Sequence, residues 1–386
     1  MNDDLLAWCS LWRAPGVGCK TFRGLLKIFG SPEGFFTASN GEVRRLLPRL
    51  AEEKWRRWRE EPQAGAADMA WLAASPDHHI LRCDGERFPP QLHGLADMPP
   101  LLFVKGEVET LWLPALAIVG SRNGSRAALE RARDFGRVLA SHGLAITSGL
   151  ALGVDGAAHE GALAAEGLTI AVVGTGLDRV YPAAHRDLAH RIARQGALVS
   201  ELPIGTTARS ENFPRRNRLI SALTQGVLVV EASLNSGSLI TARLALEQGR
   251  EVFAIPGAVN NPLARGCNKL IRDGAKLVET AADIWAELAP LVQRQLQNLP
   301  PLAAPAVPPR PAPGEALPAV APTPGSPPPA DPDAARLLEL LGYEPTSFDQ
   351  LVARTALAPE ALAAQLSLLE LEGRLTTLAG GFYQRL

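Results

Sequence analysis

Six short apolar runs recur between residues 113 and 285: LAIVGS (116–121), LAITSG (144–149), TIAVVG (169–174), ALVSE (197–201), VLVVEA (227–232) and EVFAIPG (251–257). They are rich in Val, Ile and Leu, and most end in Gly or Ser. Ala- and Leu-rich segments such as RAALERARDFGRVLASH and LITARLALEQG lie between them. Apolar strands that alternate with helices predict an α/β domain with a parallel sheet covered on both faces. Ligands of such a sheet gather at the carboxyl ends of its strands.

The flanks follow other patterns. The chain up to about residue 75 reads as helical, broken by APGVGCKTFRGLLKIFGS (14–31). A Gly-x-Gly turn between helices resembles a helix-hairpin-helix, which offers backbone N–H groups to a DNA phosphate; a plain helical bundle fits the pattern equally. DGERFPPQLHGLADMPPLLFVKG (84–106) reads as an irregular connector. Residues from about 299 to 333 hold nearly half of the chain's 32 prolines with few large apolar residues, which predicts an extended tether. Residues 334–386 predict three helices and a hairpin turning at Gly380-Gly381, a winged-helix pattern. The third helix carries Glu360, Glu370 and Glu372, and the unit has six acids against four arginines. A role in contacting protein therefore suits it better than gripping DNA. The expected division is a helical domain (1–75), a connector and Rossmann-like domain (76–290), a Pro-rich linker (291–333) and a winged-helix domain (334–386).

Composition adds limits. The net charge of -1 in 386 residues gives no whole-molecule sign of a polyanion partner, so any such site is a local patch. Cys9, Cys19, Cys83 and Cys267 are scattered, with neither CxxC nor metal spacing. That pattern argues against a disulfide framework or zinc site and fits a reducing, cytoplasmic setting. The start, MNDDLLAWCSLWR, does not read as a signal peptide, and no apolar run reaches a membrane-spanning length.

Four strand ends look built to meet anions. VGSRNGSRAALE (119–130) passes through Gly120, Ser121 and Arg122 into a helix; small residues let N–H groups approach a ligand, and Arg122 adds a formal charge. TSGLALGVDGAAHEGAL (147–163) follows with Ser148 and Gly149, and Asp155 is placed to cap its helix. VGTGLDRVYPAAH (173–185) is the third. EASLNSGSLITARLALEQG (231–249) puts Ser236, Gly237, Ser238 and Thr241 where a helix begins. No GxxxxGK[ST] or GxGxxG is present, which argues against a P-loop or a dinucleotide fingerprint. Asp155 and His159, one turn apart, suggest a mutual pair more than catalysis, and Glu201 and Glu231 suggest loop ties.

ENFPRRNRLI (211–220) stands apart. Pro214 suits a first helical turn, which places Phe213 on a loop just before a helix. Arg215, Arg216 and Arg218 then fall in the first turn and a half, where cations oppose the helix dipole. Arriving phosphates would relieve that cost, and an aromatic beside them could stack a base. The other reading makes Phe213 a core plug and one arginine a salt-bridge partner of Glu201 or Glu211.

These segments, with AIVGSR (117–122), NFPRRNRLISAL, VVEASLNSGSLITARLALEQGREVFAIPG and GCNKLIRDGA (266–275), resemble the DNA-processing protein A (DprA, or Smf) family over nearly the whole chain. The resemblance implies an extended Rossmann-like domain that binds single-stranded DNA, usually as a homodimer, and delivers incoming DNA to a RecA recombinase during natural transformation. It implies no cofactor, no metal and no catalytic residues. It carries the strand-binding role to Arg122, to Ser148 and Gly149, and to Phe213, Arg216, Asn217 and Arg218. Arg209 stands nearest to a basic position that relatives place upstream of the aromatic. Asn212, Arg215 and Lys269 complete the expected DNA-binding set with Gly120, Ser121, Ser236, Gly237 and Ser238. On this basis Arg122→Ala and Arg216→Ala are both expected to weaken strand binding without unfolding the chain. The rival reading is a nucleotide or nucleoside-monophosphate hydrolase on a related fold, although VVGTGLD lacks the PGGxGT-type loop of such enzymes.

Overall fold

A computed structural model describes residues 2–39, 41–42 and 63–299, and, nearer the C-terminus, 337–338, 341, 346–355, 357–371, 374–378 and 382–385. The chain divides into two compact units, Met1–Val320 and Ala321–Leu386.

The first unit is built on a nine-stranded sheet in the order β1-β2-β6-β5-β4-β3-β7-β8-β9. Its strands are β1 (His78–Arg82), β2 (Leu101–Gly106), β3 (Ala115–Val119), β4 (Ala145–Ser148), β5 (Thr169–Val172), β6 (Ala197–Ser200), β7 (Gly226–Val229), β8 (Glu251–Ala254) and β9 (Lys276–Leu277). All pairs from β6 through β3 to β9 are parallel. The chain winds from β3 outward to β6, then crosses back to lay β7 on the other side of β3. That reversal opens a crevice at the carboxyl ends of the central strands, where ligands of such sheets bind.

The six expected strands are present, and their side chains alternate between two cores. Ala115, Ala117, Val119, Val227, Val229, Val252 and Ala254 join one apolar cluster. Leu116, Ile118, Leu228 and Phe253 join the other. The first face is covered by α1 (Asn2–Trp12), α2 (Cys19–Phe29), α7 (Arg186–Gln195), α8 (Asn212–Ala222) and α9 (Gly237–Glu247). Between α2 and α7 the chain forms α3 (Pro32–Thr37), α4 (Ala66–Ala73), α5 (Arg126–Ser141) and α6 (Val154–Ala164). The second face is covered by α5, α6 and α11 (Ala281–Gln297), which follows α10 (Arg265–Arg272).

Three expectations change. Residues 84–106 are not merely a connector, because β2 ends the segment and pairs antiparallel with both β1 and β6, with Phe103 opposite Ser200. Helix α11 runs past residue 291, the expected start of the linker, because Leu288 and Val292 are buried in the second core. The N-terminal hairpin is packed against the sheet. Trp12 donates its indole N–H to the carbonyl of Glu201 (2.7 Å). Arg13 forks onto Asp68 at 2.6 Å through both Nε and Nη2 and also reaches the carbonyl of Ile204 at 2.7 Å. The Pro-rich stretch from residue 300 lies outside the described residues.

The second unit has α12 (Phe348–Thr355), α13 (Pro359–Leu371) and a three-stranded antiparallel sheet of β10 (Thr346–Ser347), β12 (Phe382–Arg385) and β11 (Leu375–Leu378). Leu337, Leu341, Leu351, Leu362, Leu366 and Leu375 form its core. The carboxylate of Glu370 accepts the Thr377 N–H at 2.9 Å, so this acid ties α13 to the wing. Glu372 and the Gly380-Gly381 turn lie outside the described residues.

Candidate nucleic-acid interface

The site begins where β3 ends. A side chain at Gly120 would strike Val154 at 2.7 Å, and Gly153, at φ +81°, turns the chain against the carbonyls of Ser121 and Arg122. Ser121 donates its N–H to the carbonyl of Glu231 (2.8 Å), just past β7. The Glu231 carboxylate accepts the Ser125 N–H at 3.0 Å and its hydroxyl at 2.7 Å. The loop that carries Arg122 is thus held from both sides. Arg122 is exposed, has no ion-pair partner among the described residues, and sets its guanidinium carbon 5.5 Å from the centre of the Phe213 ring.

Phe213 stands in the first turn of α8, not on a loop before it. It packs on Gly174, where a side chain would meet the ring at 3.0 Å, and Asn212 donates to the Gly174 carbonyl at 3.3 Å. Tyr181 lies beside it, with ring centres 5.5 Å apart and planes 35° apart.

The arginines of α8 follow the alternative reading, in which Glu201 takes an ion pair, and go beyond it. Arg215 and Arg218 find their anion within the chain: Glu201, at the end of β6, pairs with Arg218 at 2.5 Å and with Arg215 at 3.3 Å. Arg218 also pairs with Asp97 at 2.8 Å and is only 5% exposed. Its side chain is a structural tie and not a free contact for DNA. Arg216 is likewise 5% exposed. It donates to the carbonyl of Gly149 at 2.7 Å and to that of Val172, holding the ends of β4 and β5 together. The cost of cations at a helix start is therefore met inside the fold for all three. The expectation that Arg216→Ala leaves folding intact does not survive this burial.

Gly149 lies between Arg216 and Asp155, for an added Cβ would meet the guanidinium at 2.6 Å and the carboxylate at 2.7 Å. Burial pushes Arg216 down to about 10, offset by Asp155 and reinforced by the nearby charge of Arg122. Burial raises Asp155, while Arg216 and loop N–H groups pull it back. Asp155 accepts from Gly149 N (3.1 Å) and Ala151 N (3.3 Å), tying the loop and leaving the helix start uncapped. The Arg216 charge is thus balanced by Asp155, and the exposed Arg122 nearby is the cation left without a carboxylate among the described residues. Leu150, the loop residue between Gly149 and Ala151, holds φ +59°, a strained conformation for a non-glycine residue.

His159 does not pair with Asp155. Thr169 spends its hydroxyl proton on the carbonyl of Ile146 (2.6 Å), so the 2.7 Å contact must be donated by His159 Nδ1–H. Its Nε2 is buried and unpartnered. A second proton there would have no acceptor, in line with a value pushed down to about 3 by burial and by the neighbouring His185 and Arg216.

Of the expected residues, Gly120, Ser121, Arg122, Gly149, Asn212, Phe213 and Arg216 converge on the ends of β3, β4 and β5. Ser148 is buried and bonds the Ile118 carbonyl at 2.6 Å, so it supports the strand ends from below. Asn217 reaches the carbonyl of Gly237 at 3.4 Å, joining α8 to the start of α9, where Ser236 and Ser238 bond each other at 2.7 Å. Arg209 is exposed and without an ion pair among the described residues. Lys269 pairs with Asp273 one turn along α10, a surface contact that a phosphate could replace. Sequence reasoning missed Tyr181, whose signal was an aromatic within the third glycine-rich loop, and Asp97, which carried no signal. Among the described residues no cluster of three metal-binding side chains occurs, and no helix is long and apolar enough to cross a membrane.

A large parallel sheet flanked by helices, with a helical N-terminal segment and a separate winged-helix unit, defines the class as doubly wound α/β proteins. Within it, the chain belongs to the family of DNA recombination-mediator protein A, whose model matches residues 79–289; the DprA winged-helix model matches 321–381. It is 50% identical to Protein Smf of Escherichia coli over 58% of this chain and 59% of that one, under two-thirds of the relative's length. It is 45% identical to the DNA processing protein DprA of Streptococcus pneumoniae over 52% of this chain and 71% of that one. The X-ray structure of the Streptococcus pneumoniae protein superposes with a TM-score of 0.64 at 33% identity, covering 74% of this chain and 98% of that one. A Helicobacter pylori DNA processing protein A, solved for its single-stranded DNA binding mode, superposes at 0.51 with 31% identity, covering 55% and 96%.

Proposed function

We propose that the chain binds single-stranded DNA in the crevice at the ends of β3, β4 and β5 and hands the strand to a RecA-type recombinase. The observation that carries this reading is the exposed Arg122 guanidinium set 5.5 Å over the Phe213 ring, a cation and an aromatic side by side. A phosphate would meet Arg122, while bases lie toward the rings. Arg209, Asn217, Gly237 and the α9 start would extend the path, and Lys269 would join it by giving up Asp273. Arg218 supports α8 from beneath, while Arg215 pairs with Glu201 from an exposed position. The chain acts as a carrier and not an enzyme, in the cytoplasm, as a homodimer, during uptake of DNA by transformation. A Helicobacter pylori relative studied for its single-stranded DNA binding supports the strand as ligand.

The test compares single- with double-stranded oligonucleotides in mobility shifts over a salt series, with Phe213→Ala alongside. Preference for the single strand, weakened in the variant, is expected. Equal or absent binding of both overturns the reading. Faster nucleation of recombinase filaments on a bound strand tests the hand-over, and sedimentation tests the homodimer.

A further inference from the structure

Phe213 is not the most open ring of the site. It is only partly exposed, with Arg122 5.5 Å over it, Gly174 packed against it and Tyr181 5.5 Å away. Tyr181 is 48% exposed, far more than a tyrosine in a core would be. Its ring has no cation over it among the described residues.

The loop that carries Tyr181 is anchored on both sides of it. On the N-terminal side, Gly176 donates its N–H to the carbonyl of Thr206 at 3.0 Å, and Asp178 accepts the Gly205 N–H at 2.8 Å. On the C-terminal side, His185 Nδ1 meets the carbonyl of Leu150 at 3.0 Å, joining the loop to the strained turn after β4. An exposed aromatic on a fixed loop loses little conformational freedom on binding, the property that makes a stacking platform effective.

We propose that Tyr181 is the outer stacking platform of the site: it takes the face of one base, and Phe213 backs it as the inner ring beside Arg122. The proposal rests on the single-strand reading above and adds a residue and a task to it. Because every base has a π-face, the contact holds any base and brings little sequence preference.

Stacking and phosphate contacts leave different traces. A lost phosphate contact lowers the dependence of affinity on salt, whereas a lost stack lowers affinity at every salt concentration alike. The experiment measures binding of the full chain to an oligo-dT strand by fluorescence anisotropy across a salt series. Tyr181→Ala should weaken binding about 5- to 150-fold with an unchanged salt slope, and Tyr181→Phe should bind as the parent does. A strand containing 2-aminopurine should be quenched on binding by the parent and by Tyr181→Phe, but not by Tyr181→Ala. Thermal melting of each variant checks the fold. If the parent and its salt slope are normal and Tyr181→Ala binds within twofold of it, the platform is lost and the single-strand reading stands. A weakened variant with a reduced slope also overturns the platform, since the loop would then serve charge placement. A parent that binds no single strand overturns both.

Discussion

Glu231 receives both the main-chain N–H and the hydroxyl of Ser125, at 3.0 and 2.7 Å, although the two residues lie 106 positions apart. One carboxylate at the end of β7 thereby fixes the loop that presents Arg122 from the end of β3. Glu231→Ala removes both bonds and should cost about 1–3 kcal/mol of stability in urea titrations. It should also weaken single-strand binding with Arg122 itself intact. Normal affinity in a folded Glu231→Ala protein would show that the loop needs no such anchor.

Arg122 itself should behave as a phosphate contact. Arg122→Ala removes an exposed side chain with no ion pair among the described residues, so the melting temperature should hardly move. The slope of log affinity against log salt should fall by about 0.7, the share of one phosphate on a single strand. An unchanged slope in anisotropy titrations would remove Arg122 from the interface.

Arg216 should behave in the opposite way. Its guanidinium is buried, holds two strand-end carbonyls and faces Asp155. Removing one member of such a buried set costs about 3–5 kcal/mol. Arg216→Ala should therefore lower the denaturation midpoint sharply, and any loss of DNA binding should accompany loss of fold. A variant with parental stability and impaired binding would return Arg216 to the role of direct contact.

His159 makes stability depend on pH. Its folded value lies near 3 against an ordinary 6.5, so the unfolded chain binds the extra proton first as pH falls. Stability from its neutral form is complete above about 6.5 and declines from there toward 3; at pH 5 the loss is about 2 kcal/mol. Asp68 and Asp155, both raised by burial, push the other way in acid. A comparison of the parent with His159→Asn in urea titrations at pH 7 and pH 5 isolates the histidine: the variant should be less stable at pH 7 but lose less on acidification.

The central sheet was legible because its strands are continuous apolar runs bounded by small residues, and the structure keeps all six. β1 and β2 were not, since HHILR and LLFVKG sit among prolines and glycines, and β2 joins the sheet only through β6, across a long separation. The strand-end glycines and Arg122 could be read from the small-residue turns that precede helices. The arginines of α8 could not be sorted by spacing. Arg218 and Glu201 are 17 residues apart and Asp97 is more distant still, so only the fold reveals that their charges are already neutralised. The reading of Glu231 as a loop tie held, because its carboxylate meets the N–H and hydroxyl of Ser125, whereas Glu201 pairs with the arginines of α8 instead.

Trp12 and Arg13 bear on how this protein can be divided. They bond the carbonyls of Glu201 and Ile204, and Cys19 touches the Glu201 carboxylate at 3.8 Å, beneath the helix that carries Phe213. A shortened chain beginning at residue 79, the first residue matched by the family model, would leave those groups bare and open the first core to water. The N-terminal helices are thus a wall of the sheet domain, and the edge of the family-model match is not a border of independent folding. Exchanging this segment between relatives would rebuild the floor under α8 while leaving every strand-end residue in its place.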